Sequence, residues 1–442
     1  MRQGFRGEII SFTDDPSFYG DKAVSHQKDG IIVVENGRVI ARDKAEIIKT
    51  QFPDLAITDC SGYLIMPGFI DSHIHYTQLD CIAAGGETLL GWLEKKVFPT
   101  EQKFSDKAYA TETADFFLKE CLRNGTTSAL VFATSYYQSV EALYNAALKA
   151  DMRIITGNVL MDLAPKALAN KIPKSLDDSE KLIQNWQGHG RLGYAVTPRF
   201  ALTSSSEQLA GAGKILGEYP DILMQTHLAE TKDECAAVKE RFPKAGDYLE
   251  VYENFGLLTD RSVFAHCLYL SDSAFHRLAK SGAGIAFCPT SNLFLGSGLF
   301  NLEKARQHKI TIGLGSDVGA GTSFSLLATM AEAYKTCRLQ NYNLDPFYAF
   351  YLATLGGARL LGIDRYVGSL GMGQEADFIL VNPAATPLLD RRTKNASLEE
   401  KLFALEIMGD DRAIAATYIK GKLAFGGIDP PPYLETILRD RW

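Results

Sequence analysis

Pro67-Gly68-Phe69-Ile70-Asp71-Ser72-His73-Ile74-His75-Tyr76 is the stretch on which the rest of the chain turns. Phe69, Ile70 and Ile74 favour a strand, and the Pro-Gly pair marks a turn at its start. In a strand, residues i and i+2 share a face, so His73 and His75 present both imidazoles to one side. Imidazole nitrogen is a common metal ligand, and a catalytic zinc takes about three protein ligands with one position left open for water. The segment is too apolar for a wet edge. It reads as a buried parallel strand whose polar end opens on a cleft, with the remaining ligands to be supplied from elsewhere.

Working outward, apolar strands alternate with amphipathic helical stretches from Phe69 onward, the pattern of βα units and a parallel sheet. Candidate strands cover 69–75, 127–133, 154–160, 192–197, 222–227, 263–266, 284–287 and 310–314, with helical stretches such as 109–123, 140–150 and 326–338 between or after them. Eight such repeats predict an α/β fold, a closed TIM-like (β/α)8 barrel with its active site at the C-terminal ends of the strands. Upstream, Asp29-Gly30 and Asn36-Gly37 bracket Ile31-Ile32-Val33-Val34-Glu35, and Arg38-Val39-Ile40 follows, which predicts a hairpin with an Asn-Gly turn. Downstream of Gly373-Gln374-Glu375, strands are expected at 376–382, 413–419 and 423–425, with Lys420-Gly421-Lys422 as a turn. The expected organisation is therefore a small β-sandwich composed of 1–66 and 376–442, flanking a catalytic barrel at 67–375. Pro430-Pro431-Pro432 is the one biased tract.

Of the 442 residues, 46% are hydrophobic and 22% charged, ordinary for a chain with a large core. The formal net charge of -7, with both signs interspersed, argues against nucleic acid as a partner. Seven scattered cysteines without a Cys-x-x-Cys read as reduced thiols in a cytoplasmic protein. With no apolar stretch long enough to span a bilayer and no apolar leader after Met1, no membrane partner is expected.

Ionisable residues fall where a barrel uses them. His227 closes Met224-Gln225-Thr226-His227, His266 closes Val263-Phe264-Ala265-His266, and Asp317 follows Gly313-Leu314-Gly315-Ser316. Each alone also reads as a buried histidine satisfied by a neighbour or an aspartate capping the next helix. Their joint placement at the ends of strands one, five, six and eight points instead to one site. The other four histidines, His26, His189, His276 and His308, read as surface residues. The chain carries neither a dinucleotide fingerprint nor a phosphate loop, and it lacks the His-x-Glu and Pro-Cys-x-x-Cys of the other zinc deaminase architecture.

The stretch 67–75 together with His227, His266 and Ser316-Asp317 resembles the amidohydrolase superfamily, specifically its single-metal aminohydrolase branch. Supporting stretches are His75-Tyr76-Thr77-Gln78, Leu90-Gly91-Trp92-Leu93 leading to Phe98-Pro99, Thr197-Pro198-Arg199-Phe200, His227-Leu228-Ala229-Glu230 and Met408-Gly409-Asp410-Asp411-Arg412. The resemblance covers nearly the whole chain. It implies His73, His75, His227 and Asp317 as ligands of one zinc ion per chain, a set that iron(II) also accepts. It implies Glu230 as proton shuttle, His266 as hydrogen-bond partner at the reacting centre, and Asp317 as a second catalytic carboxylate. Gln78, Trp92, Arg199 and Phe200, with His227, would surround a purine. Two-metal relatives carry a bridging lysine or glutamate on the fourth strand, where this chain has Thr197-Pro198-Arg199, so one metal is expected.

Within that branch the resemblance implies hydrolytic deamination of guanine to xanthine and ammonia, by a homodimer. The alternatives are another aminated heterocycle (an oxidised purine, a pterin, a triazine) and, from a different class, a non-catalytic binding protein on the same fold. Zinc lowers the pKa of its water from about 15.7 to about 7, the nucleophile such a reaction needs. The Arg199 guanidinium is a permanent donor suited to the 6-carbonyl, and the Gln78 amide both donates and accepts. Adenine reverses those groups and would leave buried donors unpaired at about 1–3 kcal/mol each.

Overall fold

Strand-forming residues at the start of the chain build β1 (Arg2–Phe12), which pairs antiparallel with β2 (Val24–Glu35). Asn36 and Gly37 then adopt positive φ, 52° and 77°, and reverse the chain into β3 (Arg38–Lys44), the hairpin expected of an Asn-Gly turn. Asp29-Gly30, which brackets the run on its other side, makes no reversal: β2 continues through it, with a register irregularity in the ladder between Gly7 and Ile9. Gly30 lies opposite Gly7 in the ladder, and a Cβ there would sit 2.6 Å from Ile9 Cδ1, so this glycine serves strand approach and not reversal. β4 (Ile57–Pro67) lies parallel to β1 on its other side. The computed structural model describes residues 2–86 and 88–427; Pro430-Pro431-Pro432 lies outside them.

Gly68 separates β4 from β5 (Phe69–His75), and a Cβ on it would fall 2.3 Å from Thr127 Oγ1. All seven residues of β5 are buried. There follow β6 (Thr126–Phe132), β7 (Arg153–Gly157), β8 (Val159–Leu160), β9 (Gly193–Pro198), β10 (Leu223–Leu228), β11 (Ser262–His266), β12 (Gly284–Phe287) and β13 (Ile312–Leu314), parallel from neighbour to neighbour. The eight expected strands are present, the third of them split at Asn158, so that β7 and β8 each pair with β9. The buried Asn158 side chain donates to Ser175 O and accepts from the Ser179 and Tyr194 hydroxyls, anchoring the break to the following helix, Ile172–Trp186.

β5 and β13 do not form a ladder with each other. The barrel is drawn together there by Asp317 N–H donating to His73 O (2.9 Å), His75 N–H donating to Val318 O (2.8 Å), and buried Asp71 accepting from the Ser316 and His73 amides. Helices Lys107–Arg123, Tyr137–Ala150 and Leu326–Arg338 coincide with the expected stretches. Their inner faces bury Phe117, Leu143 and Met330 against the strands, at about 1.5–3 kcal/mol per large side chain.

The chain returns in β14 (Phe378–Val381), antiparallel to β4, then β15 (Ile414–Ile419) and β16 (Lys422–Gly426). The module drawn from both chain ends is thus one continuous seven-stranded mixed sheet, ordered β16-β15-β14-β4-β1-β2-β3. Its core holds Phe5, Phe378 and Tyr418 with ring centroids 4.5–5.1 Å apart. A buried ionic network ties the end of this unit to the barrel: Glu375 accepts from Arg153 Nη2 (2.8 Å) and Arg191 Nη2 (2.9 Å), and Arg191 also pairs with Asp377. Of the four histidines read as surface residues, His189 and His276 are exposed, whereas His26 and His308 are half-buried. His26 meets Glu8 at 3.0 Å and His308 stacks on Phe275, partners that need tertiary contact and leave no local sequence signal. Among the described residues, no helix is long and apolar enough to cross a membrane.

Candidate active site

The pleat of β5 aims His73 and His75 at the same side, where they meet His227 from β10 and Asp317 from the loop after β13. One nitrogen or oxygen from each of these four residues lies within 4.8 Å of the others. His73 Nε2 and His75 Nε2 stand 3.2 and 3.3 Å from Asp317 Oδ1, and His227 Nε2 stands 3.2 Å from His75 Nε2. Three imidazole nitrogens and one carboxylate oxygen converging in this way form a donor set that suits a divalent transition metal. His73 Nε2 is buried and has no hydrogen-bond partner, as expected of a lone pair reserved for an ion.

The protonation states fit. Burial pushes the His75 imidazolium down to about 3, against the pull of Asp317, and holds His227 well below its ordinary value, so both rings are neutral. Burial also opposes the charge on Asp317, but His73 and His75 outweigh it and keep the carboxyl well below the usual range. A neutral imidazole and an ionised carboxylate are the forms that ligate metal. His227 Nδ1–H donates to Arg199 O at 2.7 Å, which fixes the tautomer and turns Nε2 toward the cluster.

His266 ends β11 at the edge of this cluster. Its Nδ1–H donates to Asn292 Oδ1 at 2.9 Å, and its Nε2 faces Glu230 Oε2 (3.6 Å) and Asp317 Oδ2 (3.8 Å). Glu230 is buried; burial, and then Asp317, push its carboxyl up to about 8, with Ser297 Oγ 3.3 Å from Oε1 as its hydrogen-bond partner. Glu234 supports this loop, accepting from the Glu230 and Thr231 amides and the Tyr248 hydroxyl. Ala229, His266 and Asp317 all hold positive φ (53°, 73° and 52°), a conformation worth about 1–3 kcal/mol of strain at each residue.

A cavity of about 370 Å³, part of it open to solvent, lies over the cluster. His75, Gln78, Arg199, Phe200, His227, Glu230, His266 and Asp317 line it, together with Leu89, Trp92, Leu93, Leu295 and Ala320. Every residue singled out from the sequence therefore reaches this one place except His73, which sits beneath it among the four converging donors. Trp92 contributes to the wall while packed with Val97 and Phe98, its indole N–H buried without a partner. Three buried acids escaped the sequence reading. Asp71 links β5 to the loop after β13, Glu234 braces the Glu230 loop, and Glu101 meets Arg199 Nη1 at 2.8 and 2.9 Å. For Glu234 a signal existed, since Thr231-x-x-Glu234 is a capping box.

The family model described as the amidohydrolase family matches residues 64–424. The chain is 48% identical to the guanine deaminase of Escherichia coli (strain K12) over 426 residues, covering 95% of this chain and 97% of that protein. The solved structure of the E. coli guanine deaminase aligns at a TM-score of 0.94, covering 96% of this chain and 99% of that one. A crystal structure of the guanine deaminase from C. acetobutylicum, with guanine bound in its active site, aligns at a TM-score of 0.89 and 31% identity, covering 96% of this chain and 100% of that one.

Proposed function

The chain belongs to the amidohydrolase family, and from that premise we infer that it hydrolyses guanine to xanthine and ammonia. The observation that carries this reading is the convergence on one cavity of a three-histidine, one-aspartate donor set, a buried protonatable glutamate, and an arginine-glutamine pair suited to an oxopurine. We propose that His73, His75, His227 and Asp317 hold one zinc ion per chain. Such an ion, when bound, supplies a water acidified enough to act as nucleophile at neutral pH.

The chain's own residues account for the remaining requirements. Asp317 Oδ2, facing His266 at 3.8 Å, takes the proton from the attacking water, and His266 orients that water through Nε2. Glu230, protonated at neutral pH by its burial, gives a proton to the ring nitrogen beside the amino-bearing carbon, which makes that carbon electrophilic. The proton remaining on the added hydroxyl passes to the Glu230 carboxylate and on to the amino group, which leaves as ammonia, and the proton held by Asp317 returns to Glu230 by way of His266, whose Nε2 faces both carboxyls. Arg199 donates to the 6-carbonyl, Gln78 reads the ring N–H between that carbonyl and the reacting carbon, and Phe200 and Trp92 with Leu89 flank the ring faces. The apolar walls exclude bulk water, which strengthens each of these contacts.

The direct test incubates the purified, metal-loaded protein with guanine and follows xanthine; absence of product rejects the reading. A panel of adenine, an oxidised purine, a pterin and a triazine separates guanine from the alternative heterocycles, and elemental analysis separates zinc from iron. We further propose a homodimer in the cytoplasm, which light scattering and cell fractionation check.

A further inference from the structure

Glu101 is fully buried in the short helix Phe98–Gln102, does not line the cavity, and lies 98 residues from its partner Arg199. Both carboxylate oxygens accept from Arg199 Nη1, at 2.8 and 2.9 Å, while Oε1 also accepts from Gln78 Nε2 at 3.3 Å. The same Gln78 nitrogen lies 3.1 Å from Nδ1 of His75, and the Gln78 carbonyl oxygen accepts from Gly319 N–H at 3.4 Å. One carboxylate thus joins the two side chains that face the ligand and, through Gln78, reaches a member of the four-residue donor cluster. Phe98, three residues earlier, holds the other side of the guanidinium, 5.4 Å from its ring centroid.

We propose that Glu101 is a positioning residue that sets the specificity of the site for a neutral purine bearing a carbonyl one ring nitrogen away from the reacting carbon. This role presupposes the proposed guanine reading and has two sides. Because Glu101 occupies Nη1, the Nε and Nη2 hydrogens of Arg199 are the donors left for a ligand, and their direction is fixed by a buried charge-assisted bond. Because Glu101 cancels the guanidinium charge, the cavity offers hydrogen bonding without a net positive charge. Lone buried cations are disfavoured, and an uncompensated Arg199 would select anions, including the deprotonated xanthine product. An acidic residue at the start of a helix ordinarily has a solvated, dipole-stabilised role; complete burial against Arg199 argues against that here.

The test compares wild type with E101Q, E101D, R199M and R199M/E101Q in steady-state kinetics on guanine and on 2-aminopurine, which lacks the 6-carbonyl. Metal content and xanthine binding by calorimetry are measured in parallel. For E101Q we expect KM for guanine to rise roughly 10- to 100-fold with kcat changed by less than about threefold, scaled from the cost of an unpaired buried polar group. The preference for guanine over 2-aminopurine should fall by the same factor, xanthine should bind more tightly, and metal content should stay at the wild-type level. E101D, which keeps the charge, should recover part of the preference. In the R199M background E101Q should add nothing, since both charges then leave together. An equal loss on both purines, a loss confined to kcat, or additive losses in the double variant would overturn the proposal. Wild-type protein inactive on guanine sinks the proposed function instead, so the two failures are told apart in the same assay.

Discussion

Replacing Glu230 by glutamine removes a proton and little else, because the amide has nearly the shape of the carboxyl. The wild-type carboxyl is pushed up to about 8. At pH 7 such a group is about 90% protonated, whereas an ordinary glutamic acid near 4.5 would be protonated about 0.3% of the time, so the cavity raises donor availability roughly three-hundredfold. A positioned general acid contributes typically 10²–10⁴ in rate, which at about 1.36 kcal/mol per decade is roughly 3–5 kcal/mol of barrier. E230Q should therefore lower kcat/KM for guanine by about 10²–10⁴. Metal content should be unchanged, because Glu230 lies outside the four-residue donor set. The assay follows xanthine formation by absorbance, with metal per chain measured on the same preparation. The alkaline limb of the wild-type pH profile, where this carboxyl loses its proton near pH 8, should also vanish in E230Q. A loss of less than about tenfold in a fully metallated variant would refute the proton-shuttle role.

Three further outcomes are expected. Chelation should abolish turnover and zinc should restore it, while Tm rises on reloading because an ion that binds only the folded state stabilises it; full activity in metal-free protein contradicts the proposed ligand set. Glu406, fully buried with both oxygens lacking a partner, is pushed up to about 8 by burial and then by Asp345. Since its folded value exceeds the unfolded one, its favourable contribution is complete below about 4.5 and lost as pH rises to about 8. E406Q should therefore gain stability over wild type across that window, by up to about 5 kcal/mol, and a pH-independent difference in denaturant midpoint would count against this. E375A should strand Arg153 in a buried setting and cost about 3–5 kcal/mol of unfolding free energy, a loss under 1 kcal/mol showing that Tyr366, 4.4 Å from that guanidinium, is partner enough.

The parts of this molecule that could be read from the chain are those governed by local rules. Eight apolar runs at regular spacing predicted eight strand positions, because parallel strands buried on both faces must be apolar throughout. His-x-His predicted a shared face because the period of a strand is two, and Asn36-Gly37 predicted a reversal because both residues tolerate positive φ. What escaped depended on distant partners. Asp29-Gly30 carried the residues of a turn, yet packing against Ile9 made it strand. Asn158 broke a strand because its amide found Ser175, Ser179 and Tyr194. Glu101 carried no sequence signal of burial, and only the approach of Arg199 from across the barrel makes it an interior charge.

The hydrogen bonds between β5 and the loop after β13 have one more consequence. His73 and His75 stand on one lip of that gap and Asp317 on the other, so an ion held by all three acts as a clasp across the place where the sheet has no ladder. Capturing the ion and fastening the wall of the cylinder are then a single event. Amides along this join should exchange with solvent in the ion-free protein well before those of β9 and β10 on the opposite wall, and a variant unable to fasten it would lose shape and reactivity together.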